Sequence, residues 1–84
     1  MFSKELYGQR LLEIRNLHNE TQASLAKSVG TAISSISEME KGKKTTTLER
    51  FAMICEHYHV SSDYLLGLSD DPKLPTPPEP DSSI

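Results

Sequence analysis

A single cysteine, Cys55, excludes an internal disulfide and suits a reducing, cytoplasmic setting. No apolar run is long enough for a signal peptide or a membrane span, so no membrane association is expected. The four glycines are scattered and form no phosphate-cradling loop. The serines lack a histidine and an acid at any recognisable spacing. A chain of 84 residues also leaves little room for a substrate pocket. Neither catalytic nor cofactor-binding residues are therefore expected. Cys55, His57 and His59 invite a metal, but His57 points away from the face that Cys55 and His59 share on a helix. Structural zinc wants four convergent ligands, and no fourth is near in sequence. Cys55 reads better as a core residue.

An excess of positive charge is missing too. The net charge is −3, which argues mildly against nucleic acid. Its distribution matters more. From Ser69 onward, Asp70, Asp71, Glu79 and Asp81 stand against Lys73 alone, a net of −3, so residues 1–68 balance eight basic against eight acidic groups. A neutral domain can still bind DNA if its positive charges share a face, and Lys41, Lys43 and Lys44 form a modest cluster. Proline is absent until Pro72; then Pro72, Pro75, Pro77, Pro78 and Pro80 follow among acids and serines. The predicted organisation is one domain over 1–68 and an extended, disordered acidic tail or linker over 69–84. Either the protein ends there or a further domain follows.

What the chain does have is a well-marked stretch from Thr21 to Gly42. Thr21 can cap a helix that opens at Gln22, with Leu25, Ala26 and Val29 as one apolar stripe. Gly30 permits the positive φ of a sharp turn. Ile36 and Met39 resume the stripe on a second helix, about Ala32 to Lys41, which Gly42 ends. Ala26 is small enough to let the two helices cross closely. Two helices joined by a short Gly-containing turn make a helix-turn-helix. Around it, Ser3 can cap a first helix to about Leu17, buried through Tyr7, Leu11 and Ile14, with Gly8 a weak point in its first turn. His18 and Asn19 close it. Thr46 or Thr47 can cap a fourth helix to about His57, with Leu48, Phe51, Ala52, Cys55 and Tyr58 as its core face. Val60 closes over the core, Ser61 caps a short fifth helix over 62–66, and Gly67 ends it.

The stretch resembles the helix-turn-helix of the phage repressor and Cro (Xre-like) regulators. The matching residues are Gln22, Leu25-Ala26, Val29-Gly30-Thr31, Ile36-Ser37, Glu40 and Gly42, and the resemblance extends over about Tyr7 to Leu68. It implies an all-α, five-helix domain that binds a double-stranded DNA operator as a homodimer. Two departures stand out. The family usually has an apolar residue where this chain has Glu20, so a hydrophobic staple is expected to be lost. It commonly has Ser or Thr where this chain has Ala32, so Thr31 is expected to cap the recognition helix one residue early.

The resemblance turns Ala32, Ile33, Ser34, Ser37 and Glu38 toward base edges, with Ser35 nearby at a phosphate. Serines read bases weakly, Ile33 can touch a thymine methyl, and Glu38 can accept from a cytosine amino group. With no Arg, Asn or Gln here for a bidentate contact, DNA shape is expected to carry much of the specificity. Gln22, at a helix N-terminus, is expected at a phosphate, as are Lys41, Lys43 and Lys44. The family pairs the residues matching Arg15 and Glu40 as an ion pair between the first and third helices. Dimerisation is implied through the fifth helix and its flank, where Leu65, Leu66 and Leu68 are apolar; they can equally close the monomer's own core. Other classes stay open. The outer serines and Ile33 can form a solvated or protein-binding face. An antitoxin would use the helix-turn-helix for DNA and residues 69–84 for a protein partner.

Overall fold

Four hydroxyl side chains set where four of the helices begin. The computed structural model of the protein describes residues 1–74 and contains five helices: α1 (Lys4–Leu17), α2 (Gln22–Val29), α3 (Ile33–Glu40), α4 (Leu48–Tyr58) and α5 (Ser62–Leu66). Ser3, Thr21, Thr47 and Ser61 each accept a backbone N–H of the first turn they precede. The described residues are all-α; apart from the helices they hold one isolated antiparallel bridge, Val60 to Lys73. This is the expected architecture.

The third helix departs from expectation at its start. Ala32, extended at φ −80° and ψ 150°, occupies the N-cap position of α3 and contributes no side-chain bond. Thr31 does not cap it: the helix begins one residue later than that cap requires, and the Thr31 N–H donates to the Ala26 carbonyl at 2.9 Å, which completes the end of α2. Gly30 between them is left-handed at φ 68°, which directs the chain from α2 into α3.

α1 packs mainly on α3 and α5, and α2 on α3 and α4. The shared core holds Tyr7, Leu11 and Ile14 of α1, Leu25, Ala26 and Val29 of α2, and Ile36 and Met39 of α3, with Ile54, Tyr58, Val60 and Leu65 closing it. Burying each larger aliphatic side chain contributes roughly 1.5–3 kcal/mol. The expected core face of α4 needs correction. Phe51 and Cys55 are half-buried and Tyr58 is buried, but Leu48 is 79% exposed and Ala52 is exposed. Ile54 is the residue fully inside, because 51, 54 and 58 follow one helical stripe and Leu48 falls beyond the core's edge.

Gly8 is a close-packing point rather than a weak one. A Cβ there would lie 2.1 Å from the Met39 carbonyl oxygen, so only glycine lets α1 approach the end of α3 this closely. Beyond α5 the chain turns back onto the body. Arg10 donates from Nη1 to the Tyr64 and Ser69 carbonyls at 2.6 and 2.8 Å and pairs with Asp70 at 2.8 Å. Ser61 N–H donates to the Pro72 carbonyl at 2.9 Å. Residues 69–73, expected in the extended tail, are therefore tied to α1 and α5. The expectation for 75–84 lies outside the described residues.

Candidate nucleic-acid interface

α3 is held by its inner face and leaves its outer face open. Ile36 and Met39 are fully buried, while Ala32, Ile33, Ser34 and Glu38 are exposed and Ser35 and Ser37 half-buried. Ile33 is 52% exposed, an apolar side chain presented to solvent at the first turn. The turn that aims this helix is fixed from α4: Arg50 donates from Nε and Nη2 to the Gly30 carbonyl at 3.2 and 2.9 Å. Sequence reading missed this tie, since a bond across 20 positions leaves no periodic trace.

Arg15, Glu40 and Gln22 meet in one network. Arg15 donates from Nε to Glu40 Oε2 at 2.6 Å and from Nη2 to Oε1 at 3.0 Å, a bidentate pair between α1 and α3. Arg15 also donates from Nη1 to the Glu20 carbonyl at 2.7 Å. The Glu40 side chain is only 5% exposed, and its bond is the main reason the Arg15 guanidinium is held even more firmly protonated than usual. Gln22 donates from Nε2 to Glu40 Oε1 at 2.8 Å. That bond uses one amide hydrogen of Gln22 and leaves the second for another acceptor.

The basic residues lie beside α3. Lys41 follows it as C-cap, and Lys41, Lys43 and Lys44 are all exposed. Lys44 Nζ donates to Ser35 Oγ at 3.2 Å and stands 3.7 Å from Glu38 Oε1. An exposed pair of this kind adds little stability, but it brings Lys44 to α3 and offsets the charge of Glu38.

The three leucines separate. Leu65 is 0% exposed and belongs to the monomer's core, which removes it as an interface residue. Leu66 is half-buried and Leu68 is 70% exposed. Glu20 also differs from expectation: instead of a merely lost staple, it anchors a polar cluster. It accepts the Tyr58 hydroxyl, Ser24 Oγ at 2.8 Å and His57 Nε2 at 2.9 Å. Burial pushes its carboxyl up, but these three donors together outweigh burial and hold it below the usual carboxylate range. Cys55 is half-buried, and burial, with Glu56 nearby, pushes its thiol up to about 11.

The chain belongs to the helix-turn-helix family of phage repressor and Cro (Xre-like) type, whose profile matches residues 11–65. It is 40% identical over 67 residues to an uncharacterized HTH-type transcriptional regulator, YobD of Bacillus subtilis strain 168, a match over 80% of this chain and 60% of that one. The chain thus spans about three fifths of the length of that curated relative. Among solved structures it is similar to the P22 c2 repressor in complex with a synthetic operator, at 31% identity and TM-score 0.70, over 73% of this chain and 92% of that one. It is also similar to the clp gene regulator ClgR of Corynebacterium glutamicum, at 27% identity and TM-score 0.69, over 75% and 67%. The family and these neighbours are regulators rather than enzymes, and this chain is a DNA-binding domain of that transcriptional class. Among the described residues no helix is long and apolar enough to cross a membrane.

Proposed function

We propose that the chain is a repressor that occupies a near-palindromic operator as a dimer, with α3 in the major groove. The outward face of α3 carries this proposal: Ala32, Ile33, Ser34 and Glu38 are exposed on a helix whose other face is locked into the core. The P22 c2 repressor, solved on a synthetic operator, is similar over 73% of this chain, which supports the same use of the helix.

Ala32, Ile33, Ser34, Ser37 and Glu38 meet base edges. Ile33 packs on a thymine methyl, and the serines and Glu38 add hydrogen bonds of low selectivity. Gln22, Ser35, Lys41, Lys43 and Lys44 meet phosphates and set the register without reading sequence. Lys44, close to Glu38, lowers the repulsion that this carboxylate would meet near the DNA backbone. Leu66 and Leu68 supply apolar dimer surface. Half-sites then stand about 34 Å apart, one turn of the duplex. Occupancy represses by excluding polymerase, which needs no further contact surface.

Selection of bound sequences from a random duplex pool, with the purified chain at physiological salt, tests this. The expected result is enrichment of a two-fold symmetric site with half-sites one turn apart. Binding no stronger than that of an unrelated acidic protein would sink the proposal. The exposed Ile33 would then be better explained as part of a protein-binding face.

A further inference from the structure

An apolar groove of about 290 Å³ lies between the N-terminus, the start of α1, the segment leading into α4, α4 itself and the end of α5. The buried ring of Tyr7 lines it with Phe2, Leu48, Phe51 and Leu66. The Tyr7 ring centroid lies 6.3 Å from that of Phe2 and 6.1 Å from that of Phe51. Phe2 and Leu48 are exposed along it. Grooves lined by aromatic rings suit polyproline segments, which are already extended and lose little entropy on docking. The chain beyond Leu74 is proline-rich in sequence, Pro75-Thr76-Pro77-Pro78-Glu79-Pro80-Asp81.

We propose that residues 75–81 of the same chain dock in this groove and bring Glu79 and Asp81 toward Lys43 and Lys44, where they compete with DNA phosphate. Reach and charge support this occupant. The bridge between Val60 and Lys73 holds the outgoing chain beside the start of α5, whereas Leu66, at the end of α5, lines the groove. A helix of that length covers only about 8 Å, and six polyproline residues cover about 19 Å. Thr45 and Thr46 form another part of the groove's lining, and they immediately follow Lys43 and Lys44 in the chain. Residues 75–84 contain two carboxylate side chains, Glu79 and Asp81, and no basic one. Leu66 is shared with the proposed dimer surface, so a docked segment covers part of that as well. The competition rests on the DNA-binding proposal above; the docking does not.

Nuclear Overhauser contacts in a dilute sample of the 84-residue chain test the docking. Protons of Pro77 and Pro78 should contact the rings of Phe2 and Phe51 and the methyls of Leu48 and Leu66. Leu48→Ser, at an exposed position, and Pro77→Ala with Pro78→Ala should each weaken those contacts while the fold's amide spectrum persists. Absence of the contacts overturns the proposal. Contacts seen only between differently labelled copies in a mixed sample also overturn it, by assigning the groove to a second chain. The competition is read separately. Glu79→Gln with Asp81→Asn should raise affinity for a random-sequence duplex at low salt about two- to fivefold, and the gain should vanish at high salt. Groove contacts with unchanged affinity would overturn the competition and leave the docking standing. A chain that binds no DNA but keeps the contacts would place the failure in the DNA proposal.

Discussion

Glycine 8 shows how much one missing side chain can hold. The Met39 carbonyl oxygen occupies the space where its Cβ would stand, at 2.1 Å, and backbone cannot rotate aside as a side chain can. Gly8→Ala should force α1 and α3 apart and cost at least ~2 kcal/mol, read as a lower urea midpoint. Glu20 makes a second residue-scale prediction. Its carboxyl releases its proton more readily in the folded chain than in the unfolded one. The stability it contributes is therefore complete above the unfolded carboxylate value, about 4.3, and is lost as pH falls through the lower folded value. Chemical denaturation at pH 6 and pH 3 should show a larger loss for the natural chain than for Glu20→Gln. At this scale the sequence is least readable. Arg10, Arg50 and Glu20 each bond to partners far along the chain, and no local pattern announces a bond that only the fold creates.

Helices were far more legible, because their ends are written locally. Ser3, Thr21, Thr47 and Ser61 cap where their side chains and neighbours say they should. Two element-level expectations failed for physical reasons. Periodicity alone does not fix the phase of the α4 stripe: it favours Leu48 and Ala52, which are exposed, over Ile54, which is fully buried. Thr31, the expected cap of α3, stands one residue before the N-cap position, which falls on Ala32. The N-cap position of α3 is thus held by a residue with no side-chain acceptor. Ala32 already has the extended backbone that a cap requires. Ala32→Ser should raise stability by about 0.5–1.5 kcal/mol, measured by thermal unfolding without DNA.

On the scale of the whole molecule, composition pointed away from nucleic acid while the helix-turn-helix pattern pointed toward it. The pattern was the better guide because binding depends on where charges lie. Residues 1–68 are neutral in sum, yet Lys41, Lys43 and Lys44 are exposed beside the outer face of α3. Lys43→Ala with Lys44→Ala should weaken binding to all duplexes alike and make the slope of log affinity against log salt shallower by about 1–2. An unchanged slope would remove these lysines from the interface. The proposed dimer surface was the least legible feature, since one apolar run, Leu65 to Leu68, divides between the monomer's core and its exterior.

The shared carboxylate of Glu40 has a consequence for how such a protein can change over generations. It ties α1 to α3 through Arg15 with both oxygens and orients Gln22 with one of them, Oε1. On the proposed use of Gln22, fold and grip then cannot be tuned separately there, and inheritance has almost no freedom at that position. Ile33, Ser34 and Glu38 reach outward and leave the core untouched. If they read the operator as proposed, a lineage can acquire a new target by rewriting those few letters, while the scaffold that presents them passes on unaltered.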